Sequence, residues 1–263
     1  MRAPFSAFRA LLIPAAALLV AAAAPAVSAQ DFRWHGSSRS IEIKGVNGEI
    51  RAEPSGSNEI DVTAEKRANR DNPDSVRIEV VQSGGGVTIC AVYPSRDGAR
   101  PNECAPGDGG RMNVQNNDVQ VRFNVRVPAG VVFIGKNVNG NVEATGLNGD
   151  VSLNTVNGSV TFSTTGEGRA KTVNGSIRGE MGRVSGADPL EMSTVNGSIN
   201  LTLPANLSAD VKAVTVNGDI NSEFPMTVSG RISRRRLEGT IGGGGRQLSF
   251  ETVNGSITLK TAR

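Results

Sequence analysis

The sequence predicts an all-β protein: a β-solenoid, a helix-like stack of short strands turning at Asn-Gly corners. Three observations point there. A five-residue motif of aliphatic residue, Asn, Gly, a small, polar or acidic residue, and Val or Ile occurs eight times. Longer runs alternate apolar and polar residues at the period of a half-buried strand, most clearly from Val119 to Val127. No stretch after residue 29 carries a capped helical period. The alternative architecture is a β-sandwich of hairpins.

Residues 1–29 read as an export signal. Arg2 and Arg9 supply a positive start, Leu11 to Ala24 is apolar, and Val27-Ser28-Ala29 offers small residues for cleavage before Gln30. The apolar run is shorter than the ~20 residues of a membrane span, so no transmembrane anchor is expected. Residues 30–263 then form one β-repeat domain, with a less regular part (30–135) and a regular part (136–263). Removing the leader lowers 28 basic side chains to 26 against 25 acidic ones. That balance lacks the clustered basic surface of a nucleic-acid binder. Export also places Cys90 and Cys104 where disulfides persist, and two cysteines allow one internal pairing. Their bridge would stabilise by roughly 3 kcal/mol and pin the Gly- and Pro-rich stretch 94–110.

Taken in order, Phe32 and Trp34 mark one face of a short strand. Ile41–Lys44, Ile60–Glu65 and Val76–Val80 each alternate as half-buried strands. Ser83–Gly86 reads as a turn, and Val87–Tyr93 leads into the stapled loop. Pro128 closes the strand that begins at Val119. The motif copies follow, at Asn139-Gly140, Asn148-Gly149, Asn157-Gly158, Asn174-Gly175, Asn196-Gly197, Asn217-Gly218 and Asn254-Gly255, after a first one at Asn47-Gly48. Asn139, Asn157, Asn174, Asn196 and Asn217 recur near every twenty residues, with Asn148-Gly149 among the turn signals between them, and that spacing is that of a solenoid.

Asn-Gly between apolar runs is also a hairpin signal. In a tight hairpin the two aliphatic residues of each motif would point to opposite faces. An open corner lets both point inward, with Asn and Gly supplying unusual backbone angles. The corner is therefore the favoured reading. Thr155, Thr172, Thr194, Thr215 and Thr252, two before each Asn, are expected to stack as an exposed ladder. Val160, Phe162, Ile199, Leu201 and Leu203 are expected in the core. Successive coils are expected to stack in chain order, leaving the strand at Ile257–Lys260 at a free end open to self-association.

The F-x-W-x-G opening (Phe32, Trp34, Gly36), the I-x-I-x-x-V-N-G-x-I stretch (Ile41 to Ile50) and the recurring T-V-N-G-S-I resemble the bacterial Toastrack family. Its members are labelled adhesins or β-strand repeat proteins of unknown function. The resemblance spans essentially all of 30–263. It implies stacked strands in a solenoid-like rack and work at the cell envelope, often in the extracytoplasmic part of stress systems. It transfers no catalytic residue.

No reaction is legible in the residues, and no cofactor or metal is implied. His35 is the only histidine and reads as an ordinary surface residue. The Gly242–Gly245 run lacks the Lys-Ser/Thr of a phosphate loop. Arg231, Arg234, Arg235 and Arg236, with Arg246 nearby, form one basic cluster in the insertion 225–246. It reads as a solvated hairpin or as a patch for an anionic polymer. The expected function is an exported, non-enzymatic scaffold presenting a surface to an envelope polymer, a protein or itself through its solenoid ends. The alternative is a polysaccharide-active β-helix enzyme using Asp150, Lys171 and Asp219.

Overall fold

The computed structural model describes residues 32–95, 100–228 and 233–263. The leader read at 1–29 and Arg231 of the basic cluster lie outside these residues. The first part contributes β1 (Phe32–Gly36), β2 (Ser40–Lys44), β3 (Ile50–Pro54), β4 (Ile60–Arg67), β5 (Arg77–Ser83), β6 (Gly86–Val92) and β7 (Gln120–Val127). Five coils follow, each one strand and then a second across a corner. They are β8 (Val132–Lys136) with β9 (Val142–Leu147), β10 (Val151–Asn154) with β11 (Val160–Thr164), and β12 (Gly168–Lys171) with β13 (Ile177–Met181). Next come β14 (Leu190–Ser193) with β15 (Ile199–Leu203) and β16 (Ala209–Asn217) with β17 (Ile220–Ser222). After β18 (Met226–Val228) and β19 (Arg236–Ile241), a last coil joins β20 (Arg246–Asn254) to β21 (Ile257–Thr261).

These strands make two sheets. One has ten strands in the order β1-β4-β7-β3-β9-β11-β13-β15-β21-β17. The other has eleven, in the order β18-β19-β16-β20-β14-β12-β10-β8-β2-β6-β5. Neighbouring coils pair in parallel, for example Val160 beside Ile177 and Ile177 beside Ile199. Parallel pairing of successive repeats excludes the sandwich of hairpins and fits a solenoid. The inward residues fill the space between the sheets. Leu153, Phe162, Ile177, Leu201, Phe250 and Leu259 are all buried, and burying side chains of this kind stabilises by about 1.5–3 kcal/mol each.

The stacking order departs from chain order at one place. β21 lies between β15 and β17, and β20 lies between β14 and β16. The coil expected at a free end is therefore interior, and the open edges there are β17 and β18. The physical reason is the insertion. β19 runs antiparallel to β16 and brings the chain back beside the start of that strand, with Ile241 opposite Ala209. The Gly242–Gly245 run then crosses to the far side of β16, where β20 begins with Arg246 opposite Ala209. Gly242, Gly244 and Gly245 have φ of 58°, 73° and 130°, angles that side chains resist. Ser208 Oγ accepts from Gly243 N at 2.8 Å, so the crossing is tied down rather than loose.

The first part closes the other end. β1 and β4 extend the ten-stranded sheet in antiparallel fashion, and the β5–β6 hairpin extends the eleven-stranded one. β5 was expected to be half-buried, but it is the outermost strand and Val80 is exposed. Tyr93 lies buried beneath this end, its hydroxyl donating to Val119 O at 2.7 Å. Burial pushes the phenol up to about 12. The folded state thus favours the neutral phenol. That stability is complete below about pH 10 and drains away as pH rises toward 12, by at most about 2–3 kcal/mol. Urea midpoints at pH 9 and 11.5 should differ more for the native chain than for Tyr93→Phe.

Candidate binding surface

The eight motifs do not form one column. Seven of their asparagines line a single edge of the stack, in the order 47-139-157-174-196-254-217, each bridged to the next in parallel. Along this edge six of the seven donate through Nδ2 to the Oδ1 of a neighbour, at 2.7–2.9 Å, while Asn47 at the head donates to Asn117 O. The eighth pair, Asn148-Gly149, sits at the opposite corner, between β9 and β10. There Thr165 Oγ1 donates to Asn148 Oδ1 at 2.8 Å, and Leu147 is buried.

The outward and inward faces of the corner are exchanged relative to expectation. The threonines before the motif are buried, at 3–5% exposure. Each donates through Oγ1 to the carbonyl of the glycine in the adjoining corner. Thr155 reaches Gly140 at 3.0 Å, and Thr172, Thr194, Thr215 and Thr252 reach Gly158, Gly175, Gly255 and Gly197 at 2.8 Å. Asn137 takes the same position one coil earlier and donates to Gly48 O at 2.7 Å. The valine that follows each threonine points out instead. Val138, Val156, Val173, Val195, Val253 and Val216 are 39–50% exposed, whereas Val46 is only 7% exposed. The backbone explains this. Alternation places Leu153 and Thr155 on one face and Val156 on the other, and the inward hydroxyl satisfies a carbonyl that an aliphatic group would strand.

Gly48, Gly140 and Gly255 supply the expected unusual angles, with φ of 118°, 142° and 156°, but the other four corner glycines of this edge serve another purpose. Gly158, Gly175, Gly197 and Gly218 do not have positive φ in the left-handed range. A Cβ on any of them would come within 2.0–2.2 Å of the carbonyl oxygen of the neighbouring corner glycine. Glycine is required because corners stack at the ~4.8 Å strand spacing. This arrangement predicts an asymmetry between two adjacent positions. Thr172→Val should cost about 1 kcal/mol through the lost hydrogen bond, while Val173→Thr should stay within about 0.5 kcal/mol. Urea denaturation of both variants checks it.

The finished edge is a ridge six rungs long in its exposed valines, or roughly 24 Å at the strand spacing. Beside the valines run the asparagine amides. In five of these six rungs the residue after glycine is uncharged: Asn141, Ser159, Ser176, Ser198 and Ser256, the exception being Asp219. The surface is apolar, amide-rich and nearly free of charge.

At the head of the ridge lies the disulfide loop. Cys90 and Cys104 are joined, with Cα atoms 5.7 Å apart. Lys44 Nζ donates to Ala105 O and Gly109 O at 2.5 and 3.0 Å. Lys136 Nζ reaches Gly107 O at 2.7 Å, Asp108 Oδ1 at 2.9 Å and Glu42 Oε1 at 3.1 Å. Burial lowers the Lys44 amine from its ordinary value. Burial acts the same way on Lys136, but the hydrogen bonds to Asp108 and Glu42 outweigh it and hold that amine above its ordinary value. The loop lines a cavity of about 280 Å³ with Val46, Val138 and Met112.

The basic cluster is divided. Arg234 and Arg235 form the turn between Ser233 and Arg236, and their carbonyls accept from Ile220 N and Thr215 N at 3.1 and 2.9 Å. Their backbone closes the end of the stack while the side chains stay exposed, and Arg236 pairs with Glu238 at 2.7 Å. Arg246 does not belong with them. It is buried and paired with Glu167 at 2.6 Å, and its Nε donates to Asp188 O at 2.6 Å. Nothing in the local sequence signals this pair, because 79 residues separate its members. Asp150, Lys171 and Asp219 do not converge either. Asp150 pairs with Arg183, Lys171 with Glu191, and Asp219 belongs to the corner leading into β17. His35 is exposed on the edge strand β1.

Parallel coils whose corners repeat side chain for side chain define a β-repeat scaffold of the solenoid-like kind. The family model described as Toastrack DUF4097 matches residues 136–260, the regular part of the chain. Among solved structures the chain is similar to a "putative cell adhesion protein" from Clostridium sporogenes. The identity is 11% and the TM-score 0.47, covering 89% of this chain and 100% of that one. It is also similar to a "putative adhesin" from Bacteroides fragilis, at 13% identity and TM-score 0.37, covering 89% and 97%. No curated protein matches the chain. Among the described residues no helix is long and apolar enough to cross a membrane.

Proposed function

We propose that the chain is an exported, non-enzymatic β-repeat scaffold that presents an adhesin-like binding surface at the cell envelope. The observation that carries this reading is the ridge of exposed valines beside the asparagine ladder. Valines held nearly 40% or more exposed in register, on a protein that buries most of its other aliphatics, are an apolar patch of the kind that marks interaction sites. The partner would be an envelope protein or polymer with an extended, largely uncharged face. The disulfide supports an oxidising location, as does the leader-like segment at 1–29.

The test is retention of the purified protein on envelope fractions of its own cells. Val156→Ser, Val173→Ser and Val195→Ser together should reduce retention more than tenfold, since each half-exposed valine covered by a partner contributes on the order of 1 kcal/mol. The melting temperature should hardly move, because these side chains touch little of the core. Unchanged retention in the triple variant would sink the reading.

A further inference from the structure

The regular outer face of the eleven-stranded sheet is interrupted by two loops, one pinned by a part-buried network and the other by a buried one. One is the disulfide loop, held by Lys44 and Lys136 and by Gly107 N donating to Glu42 Oε2 at 2.9 Å. The other runs through 183–189. Ser185 N donates to Glu167 Oε1 at 2.8 Å, and Arg246, paired with that same carboxylate, also holds Asp188 O. A buried ion pair is a costly way to fix a surface loop. Loops fixed on a rigid scaffold are where binding residues concentrate.

Between the two loops lies a groove of about 470 Å³, with Asp108 on one wall and Pro189 on the other. Its floor is a small lattice on neighbouring strands. Ser152 lies beside Arg169, and Asn154 lies between Lys136 and Lys171. The charges on this floor are unequally satisfied. Lys136 is committed to the disulfide loop. Lys171 meets Glu191 at 3.2 Å in an exposed pair that rearranges cheaply. Arg169 has its nearest carboxylate oxygen, Glu167 Oε2, at 3.9 Å, an ion pair beyond hydrogen-bond length, while Oε1 of that carboxylate serves Arg246 and Ser185. The Arg169 guanidinium therefore faces the groove with no acceptor in hydrogen-bond range among the described residues.

We infer that this groove binds an acidic glycan, with the carboxylate of a uronic acid on Arg169 and sugar hydroxyls on Ser152 and Asn154. A planar guanidinium matches a carboxylate in two parallel hydrogen bonds. A hydroxyl and an amide beside it supply the donors and acceptors that sugar hydroxyls need. An acidic peptide fits less well. The floor strands β8, β10 and β12 are paired on both sides, so no free edge is offered to a peptide backbone, and Ala170 and Pro189 are the only apolar residues of the lining.

The site is separate from the valine ridge, so its failure leaves that reading standing. The experiment measures binding of the full chain to polygalacturonate by calorimetry, with dextran and poly-glutamate as the uncharged and non-sugar comparisons. The native chain should bind polygalacturonate and not dextran, and should bind poly-glutamate at least tenfold more weakly. Arg169→Gln should weaken polygalacturonate binding at least tenfold at unchanged melting temperature. Ser152→Tyr, which fills the floor without altering charge, should weaken it as well. Substituting Arg234, Arg235 and Arg236 by Ser should leave it intact. Absence of polygalacturonate binding, equal affinity for poly-glutamate, or loss on the triple substitution and not on Arg169→Gln overturns the inference.

Discussion

Replacing Glu167 by Ala should destabilise the chain by about 3–5 kcal/mol, because it leaves the Arg246 guanidinium buried without its counter-charge. The two side chains are only 9% and 4% exposed, so water cannot take the place of the missing carboxylate. The same change removes the acceptor of Ser185 N and loosens the loop through 183–189. Replacing both partners by apolar residues, Glu167→Leu with Arg246→Met, should recover most of the loss. Urea denaturation of the three proteins decides. A single variant within 1 kcal/mol of native, a threshold of roughly a surface-mutation effect, would show that the pair is not buried as described.

Gly175→Ala should rank beside it. The new Cβ would stand 2.0 Å from Gly158 O and 2.4 Å from Gly158 C. Both are backbone atoms of a corner tied to its own neighbours, so they cannot swing away as a side-chain tip could. Overpacking in a tight core costs about 1–3 kcal/mol and occasionally more, and a clash against stacked backbone falls at or beyond the upper end. Gly56→Ala is the comparison. It meets nothing within 4 Å and should be neutral or slightly stabilising, through the smaller freedom of the unfolded chain. Circular dichroism melts of both variants give the contrast directly.

The strands and corners were legible because each carries a short-range signal. Val119 to Val127 alternates without a break, and β7 buries its valines and Phe123 as that pattern requires. The motif period predicted a solenoid, and its successive coils stack in parallel. The faces of the corner were misread because the rule that aliphatics go inside was applied to the motif alone. The correct signal was one residue pair further upstream. In Leu153-Asn154-Thr155-Val156, and again in Met192-Ser193-Thr194-Val195, alternation from the buried Leu or Met puts threonine inside and valine outside. Asn148-Gly149 falls midway between motif copies spaced near twenty residues apart, and it does turn the opposite corner, between β9 and β10. The place of β20 and β21 in the stack was not legible at all. Which parallel neighbour a strand selects depends on where the intervening chain delivers it, and that depends on β19 and the glycine crossing. The groove on the eleven-stranded sheet stayed hidden for a related reason. Arg169, Ser152 and Asp108 come from three separate segments that only the register brings together.

The interleaved last coil also bears on how the molecule assembles. A solenoid of consecutive coils can be built by adding each unit to the one before, with every intermediate already resembling the product. Here the coil of β14 and β15 cannot receive its final neighbour until residues 246–261 have been made, although 209–222 are synthesised first. Any early docking of β16 against β14 would occupy the slot that β20 must take. The last three coils are therefore expected to order together, as one late cooperative block, after the earlier coils have already zipped from the other end.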